Sequence, residues 1–129
     1  MGICMLCTKN DELISFTEAS TMTMKVVNVR DAFEFSPEKM KKVSLFDTDN
    51  LFCDIYCLEA GQFQKVHSHE GSDKVYYVLK GQGKVTVGTE EKVLAQNDIT
   101  MASSGEDHGV MNHTDEKLVM LVLMAPKPS

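Results

Sequence analysis

The chain has 129 residues and a formal net charge of -6 at pH 7, long enough to bury one hydrophobic core and too acidic for general attraction to phosphate backbones. Its apolar and charged fractions, 43% and 25%, are those of a soluble globular protein, and no run nears the ~20 apolar residues of a membrane span. Neither nucleic acid nor a membrane is therefore an expected partner, and Lys39, Lys41 and Lys42 read as a solvated face.

The opening stretch from Met1 to Cys7 is apolar but short, has no preceding basic residue and runs into Lys9, Asp11 and Glu12. It does not read as a signal peptide, so a cytoplasmic location is the default expectation. Cys4 and Cys7 have C-x-x-C spacing, half of a zinc knuckle or a redox pair; a single such pair reads equally as incidental. Residues 1–23 show little periodicity and read as an N-terminal arm or as an upstream extension, with Met22 or Met24 as the start. The domain is expected over 24–129.

Lys25-Val26-Val27-Asn28-Val29 alternates, as a strand does. Ser36, Pro37 and Glu38 followed by lysines predict one short helix or turn over 36–42. Strands dominate beyond it: Leu51 to Leu58, Val75 to Leu79, Lys84 to Gly88, Glu91 to Leu94, Asp98 to Met101, and the apolar run Leu118 to Met124. Cys53 and Cys57, four apart in one of these strands, share a face and read as small core residues. Short strands with Gly-rich turns between them indicate an all-β sandwich or barrel, with no α-β alternation.

Chemistry concentrates at His67-Ser68-His69. In an extended segment, residues i and i+2 project to one face, so both imidazoles point the same way. Such a pair serves a divalent cation, or stays solvated as two loop histidines.

Gly61, five residues, His67, Ser68, His69 and then Gly81 resemble the first motif of the cupin superfamily, G-x5-H-x-H-x3,4-E-x6-G. Downstream, Gly105, His108 and Asn112 match its second motif, G-x5-P-x-G-x2-H-x3-N, with Asn97 and Ser103 replacing the glycine and the proline. The resemblance is to a small single-domain cupin and covers about Lys25 to Pro128. It implies a double-stranded β-helix, or jelly-roll barrel, with His67, His69 and His108 as ligands to Fe, Mn, Ni, Cu or Zn. Imidazole suits all of these, so residue type does not choose among them. Gly105 and Asn112 would shape the turn and strand that deliver His108, and a homodimer is implied as well.

The departure is at the fourth ligand. Where the motif has glutamate, this chain has Lys74. An ammonium has no lone pair to donate, and ~4 Å from a dication it would be repelled by roughly 8 kcal/mol at an effective dielectric of 20. Lys74 therefore turns away, pairs with a carboxylate, or belongs to a site without metal. Alternatively it is functional, holding an anionic ligand or acting as an acid or base. Asp73 is the adjacent substitute, but neighbouring strand residues face opposite sides, so both cannot line the pocket without a bulge. Three histidines binding the metal alone is the preferred arrangement. Phe63, Tyr76, Val78, Met101 and Met111 are expected to line a small, fairly apolar pocket.

Two functions follow. One is a metal-dependent dioxygenase, isomerase or lyase acting on a small molecule. The other is a non-catalytic binding or sensor module without metal. A subunit assembled through its N-terminal arm is a third reading.

Overall fold

A computed structural model describes residues 23–128. Cys4, Cys7, Met22 and nearly all of the 1–23 arm lie outside the described residues. Within them, the strands are β1 (Lys41–Asp47), β2 (Phe52–Leu58), β3 (Phe63–His67), β4 (Asp73–Lys80), β5 (Gly83–Val87), β6 (Glu90–Leu94), β7 (Ile99–Ala102), β8 (His108–Met111) and β9 (Leu118–Ala125). They build a five-stranded sheet, β1-β2-β9-β4-β7, and a four-stranded sheet, β3-β8-β5-β6, antiparallel at every pairing. No helix among these residues is long and apolar enough to cross a membrane.

Period-two alternation decides which side chains enter the space between the sheets. On β4, Lys74, Tyr76 and Val78 are buried there while Val75, Tyr77 and Leu79 are only partly covered. The inner core joins Tyr56, Leu58, Tyr76, Val78, Val85, Leu94, Val110, Leu118, Met120 and Val122. Strand β9 is apolar without alternation because both of its faces are covered. Its outer residue Val119 joins Ile55 and Cys57 in a second cluster, packed against by Val29, Ala32, Phe33 and Phe35. Cys53 and Cys57 are buried free thiols on this outer face, and Cys57 Sγ accepts the Glu34 N–H at 3.4 Å.

Two local expectations change. The helical turn lies at Val29–Ala32, as a short 3₁₀ segment whose N-cap Asn28 accepts the Arg30 N–H at 3.0 Å. Over 36–42 there is a bend, in which Ser36 Oγ accepts the Glu38 N–H at 3.3 Å, and β1 then begins at Lys41. The alternating residues around Val26 form no strand; Met24 and Val26 are largely exposed, and alternation without a neighbouring strand has nothing to pair with.

One irregularity matters for the site. The β3–β8 register shifts between Gln64 and His67, so a bulge resets which β3 residues face inward. At that bulge the strands press together at Gly109. A Cβ there would meet Val66 Cγ2 at 2.9 Å and Gln64 O at 3.0 Å, so no larger residue fits without moving backbone.

Candidate metal centre

The ends of β3 and β8 carry the three histidines. His67 closes β3, directly opposite His108 at the start of β8. His69 lies just past the strand end, yet its ring still meets that of His67, with centroids 4.8 Å apart. The other pairs are 4.5 Å, His67 to His108, and 5.5 Å, His69 to His108. One nitrogen of each ring can be chosen so that all lie within 4.8 Å of one another.

Two backbone carbonyls set the tautomers. His67 Nδ1 lies 2.7 Å from Lys65 O, and His108 Nδ1 lies 3.1 Å from Glu106 O. A carbonyl only accepts, so each Nδ1 carries the proton and each Nε2 presents a lone pair. His108 Nε2 is buried with no partner among the described residues. A buried lone pair without a donor is costly unless something electron-poor meets it. Burial above all, and then the Lys74 charge, push the His108 pKa down to about 4. Burial, with His67 and Lys74 as further causes, lowers that of His69 as well. Both rings are therefore neutral at pH 7, the form that ligates a cation. The donor set fits a divalent transition metal.

The turns that carry His69 and His108 are tied to each other. The Gly105 N–H donates to His69 O at 2.9 Å, with Gly105 at φ +84, a conformation that favours glycine. Gly71 N–H donates to Ser104 Oγ at 2.7 Å, and Ser104 N–H to Asp73 Oδ1 at 2.9 Å. Asp73 is thus exposed and engaged outside the barrel, clamping the β7–β8 turn rather than facing the histidines. Asn112 is fully buried; its amide donates to Leu58 O and Glu116 O at 3.1 and 2.7 Å, anchoring the end of β8.

Lys74 does not turn away. It is 2% exposed, and no carboxylate among the described residues lies within ion-pair distance of it. Its Nζ stands 5.4 Å above the Tyr56 ring and 5.3 Å from that of Tyr76, and donates to Gln64 Oε1 at 3.3 Å. Burial lowers its pKa to about 8, which leaves it mostly charged at pH 7.

Of the expected lining residues, Tyr76 and Val78 face inward in the core. Phe63, Met101 and Met111 do not: they are 58%, 49% and 42% exposed, on outer faces. The β3 bulge explains Phe63, because it turns Gln64 inward in its place. Met111 is three residues after His108, an odd number in a regular strand, so it faces away. Met101 pairs with outward Val75, while Thr100 and Ala102 pair with the inward Tyr76 and Lys74. Tyr56, Gln64 and Asp54 are inner-face residues that motif reasoning passed over. Period-two alternation in β2 from Leu58 could have found Tyr56 and Asp54.

The family described as Cupin domain matches residues 54–124, a span that holds both motifs and all three histidines. The chain belongs to the cupin family. A Thermus thermophilus protein of known structure superposes on this cupin with a TM-score of 0.80 at 43% identity, over 81% of this chain and 100% of that one. An uncharacterised Streptomyces coelicolor protein is 31% identical over 80 residues, which are 62% of this chain and 74% of the relative. An oxalate-binding protein of Thermotoga maritima is 28% identical over 69 residues, 52% of this chain. The cupin spans only 57% of that last protein's length.

Proposed function

We propose that this cupin holds one divalent ion of the Fe, Mn, Ni, Cu or Zn class through His67, His69 and His108 and presents it to a small molecule in the barrel mouth. The observation that carries the reading is the buried, unpartnered Nε2 of His108, with its Nδ1 proton committed to Glu106 O. The Nδ1 of His67 is committed likewise, to Lys65 O. Three neutral nitrogens leave coordination positions open, and a bound ion would supply Lewis acidity toward a carbonyl, water or oxygen. A dioxygenase, isomerase or lyase reaction fits such an open centre. The chain's own part is to orient His67 and His108 through backbone carbonyls and to keep His69 and His108 neutral through burial.

A second reading is a non-catalytic binding module without metal. What favours it is Lys74, a buried cation at the position where the family motif has an acidic ligand. Metal analysis of protein purified without chelators separates the two. Near-stoichiometric metal, lost in His67→Ala and His108→Ala, supports the metal centre. No metal after refolding with Fe, Mn, Ni and Zn sinks it. Lys74→Glu is expected to tighten metal binding by restoring an acidic ligand.

A homodimer in the cytoplasm completes the proposal. Exposed Ile99 and Met101 on β7, an edge strand of the five-stranded sheet among the described residues, support an interface there. Sedimentation velocity tests it, and a monomer at micromolar concentration would refute it.

A further inference from the structure

The inner wall beside the histidines holds more hydrogen-bond donors than acceptors. The Lys74 ammonium has three N–H donors and spends one on Gln64 Oε1. Tyr56 Oη accepts from Gln64 Nε2 at 3.3 Å, which leaves its own proton uncommitted. The hydroxyl of Tyr76, a residue with no exposed surface, is buried without any partner among the described residues. Gln64 is thus a bridge that fixes Tyr56 against Lys74, its oxygen and nitrogen both engaged.

Charge points the same way. With a divalent ion on three neutral imidazoles, Lys74 would bring the local charge to +3, and no carboxylate among the described residues lies within ion-pair distance of the ammonium. Asp54, on the inner face of β2, acts electrostatically on both Lys42 of β1 and Lys74, but it stands beyond ion-pair distance of the Lys74 ammonium and leaves its N–H donors unmet. A buried cation in contact with two tyrosine rings, with unspent donors around it, is completed by an anion.

We infer that Lys74, Tyr56 and Tyr76 form a carboxylate subsite beside the histidine cluster, selecting small acids that carry a second oxygen donor. A 2-oxo acid, a 2-hydroxy acid or a short dicarboxylate meets that description: one carboxylate on Lys74 and the tyrosines, the second oxygen toward the histidines. Lys74 and the hydroxyls are the binding groups; Gln64 positions them. The inference deepens the proposed metal-centre reading, but the anion contacts themselves require no metal.

The test is calorimetric titration at pH 7 with pyruvate, malonate, neutral methyl pyruvate and inorganic phosphate, on both metal-free and Zn-loaded protein. Pyruvate or malonate is expected to bind, methyl pyruvate at least tenfold more weakly. Lys74→Met is expected to weaken carboxylate binding tenfold or more, and Tyr76→Phe about threefold to tenfold. Neither change should reduce Zn stoichiometry, and matched circular dichroism spectra and melting curves establish that both variants fold. The inference is overturned if no acid binds the wild type, if the ester binds as well as the acid, if phosphate is preferred, or if both variants bind within twofold of wild type. Lys74-dependent acid binding in a protein that takes up none of Fe, Mn, Ni and Zn would overturn the metal reading and leave the subsite standing. Full Zn uptake with Lys74-independent acid binding would do the reverse.

Discussion

The inner face of β4 compares two halves of one interior within five residues. Val78, Tyr76 and Lys74 are all buried, at 0%, 0% and 2% exposure, yet their surroundings differ in kind. Val78 packs with Leu58, Leu118 and Met120 in the inner hydrophobic cluster, which reaches Tyr56 and Tyr76 at its other end. Lys74 sits with Gln64, two tyrosines and, beyond them, the histidines. Equal burial therefore carries opposite thermodynamic sign: removing Val78 from water stabilises, while removing an unpaired ammonium costs. The apolar half holds the barrel together, and the half nearer the histidines gathers buried polar groups.

Four experiments probe that contrast. The largest effect is expected in the apolar half, where Leu118→Ala should cost about 2–5 kcal/mol in urea unfolding. Metal affinity of the folded fraction should stay unchanged; a large loss would show the two halves to be coupled. Next comes His108→Ala, expected to lower metal affinity at least ~100-fold, the upper end for mere supporting contacts. Thermal stability without metal should change little or rise, because a buried unpartnered nitrogen is removed.

Lys74→Met is the third. The Lys74 pKa is depressed from 10.5 to about 8 by burial, so between those values the unfolded chain binds more protons than the folded one. Stability of the metal-free wild type therefore climbs as pH rises from 8 toward 10, by on the order of 3 kcal/mol at most. Burial of Tyr56 raises its pKa to about 12, which reverses the trend above pH 10. Lys74→Met should be more stable than wild type at pH 7 and should lack the rise between pH 8 and 10. A wild-type rise that survives the substitution assigns it to another group.

The smallest effect is expected at Asp73. Asp73→Ala removes the acceptor for Ser104 N–H on an exposed turn, at a cost of about 0.5–1.5 kcal/mol. If Asp73 were a metal ligand, the loss in metal affinity would match that of His108→Ala; a change of a few-fold agrees with its place outside the barrel.

The histidines were legible in sequence because His67, His69 and His108 stand at motif spacing from Gly61, Gly81, Gly105 and Asn112. Strand positions were partly legible through Gly-rich turns and the alternation in β4. Phe63 was misplaced because a bulge is a tertiary event: β3 shifts register where it presses on Gly109 of β8, and nothing in Phe63-Gln64-Lys65-Val66 announces it. The outward facing of Met111 was available from parity with His108. That of Met101 depended on pairing with Val75, which sequence does not specify.

Residue order alone was enough to establish an all-β cupin with three histidines and a lysine in place of the fourth ligand. Local spacing and period-two geometry carry that much, because they act over a few residues. What Lys74 does with its charge emerged from the folded arrangement. Its neighbours Tyr56 and Gln64 come from β2 and β3, many residues upstream, and Asp73 is held outside by Ser104 from a distant turn. Whether a buried cation is paired, exposed or waiting for an anion depends on which strands meet around it, and that is settled by packing.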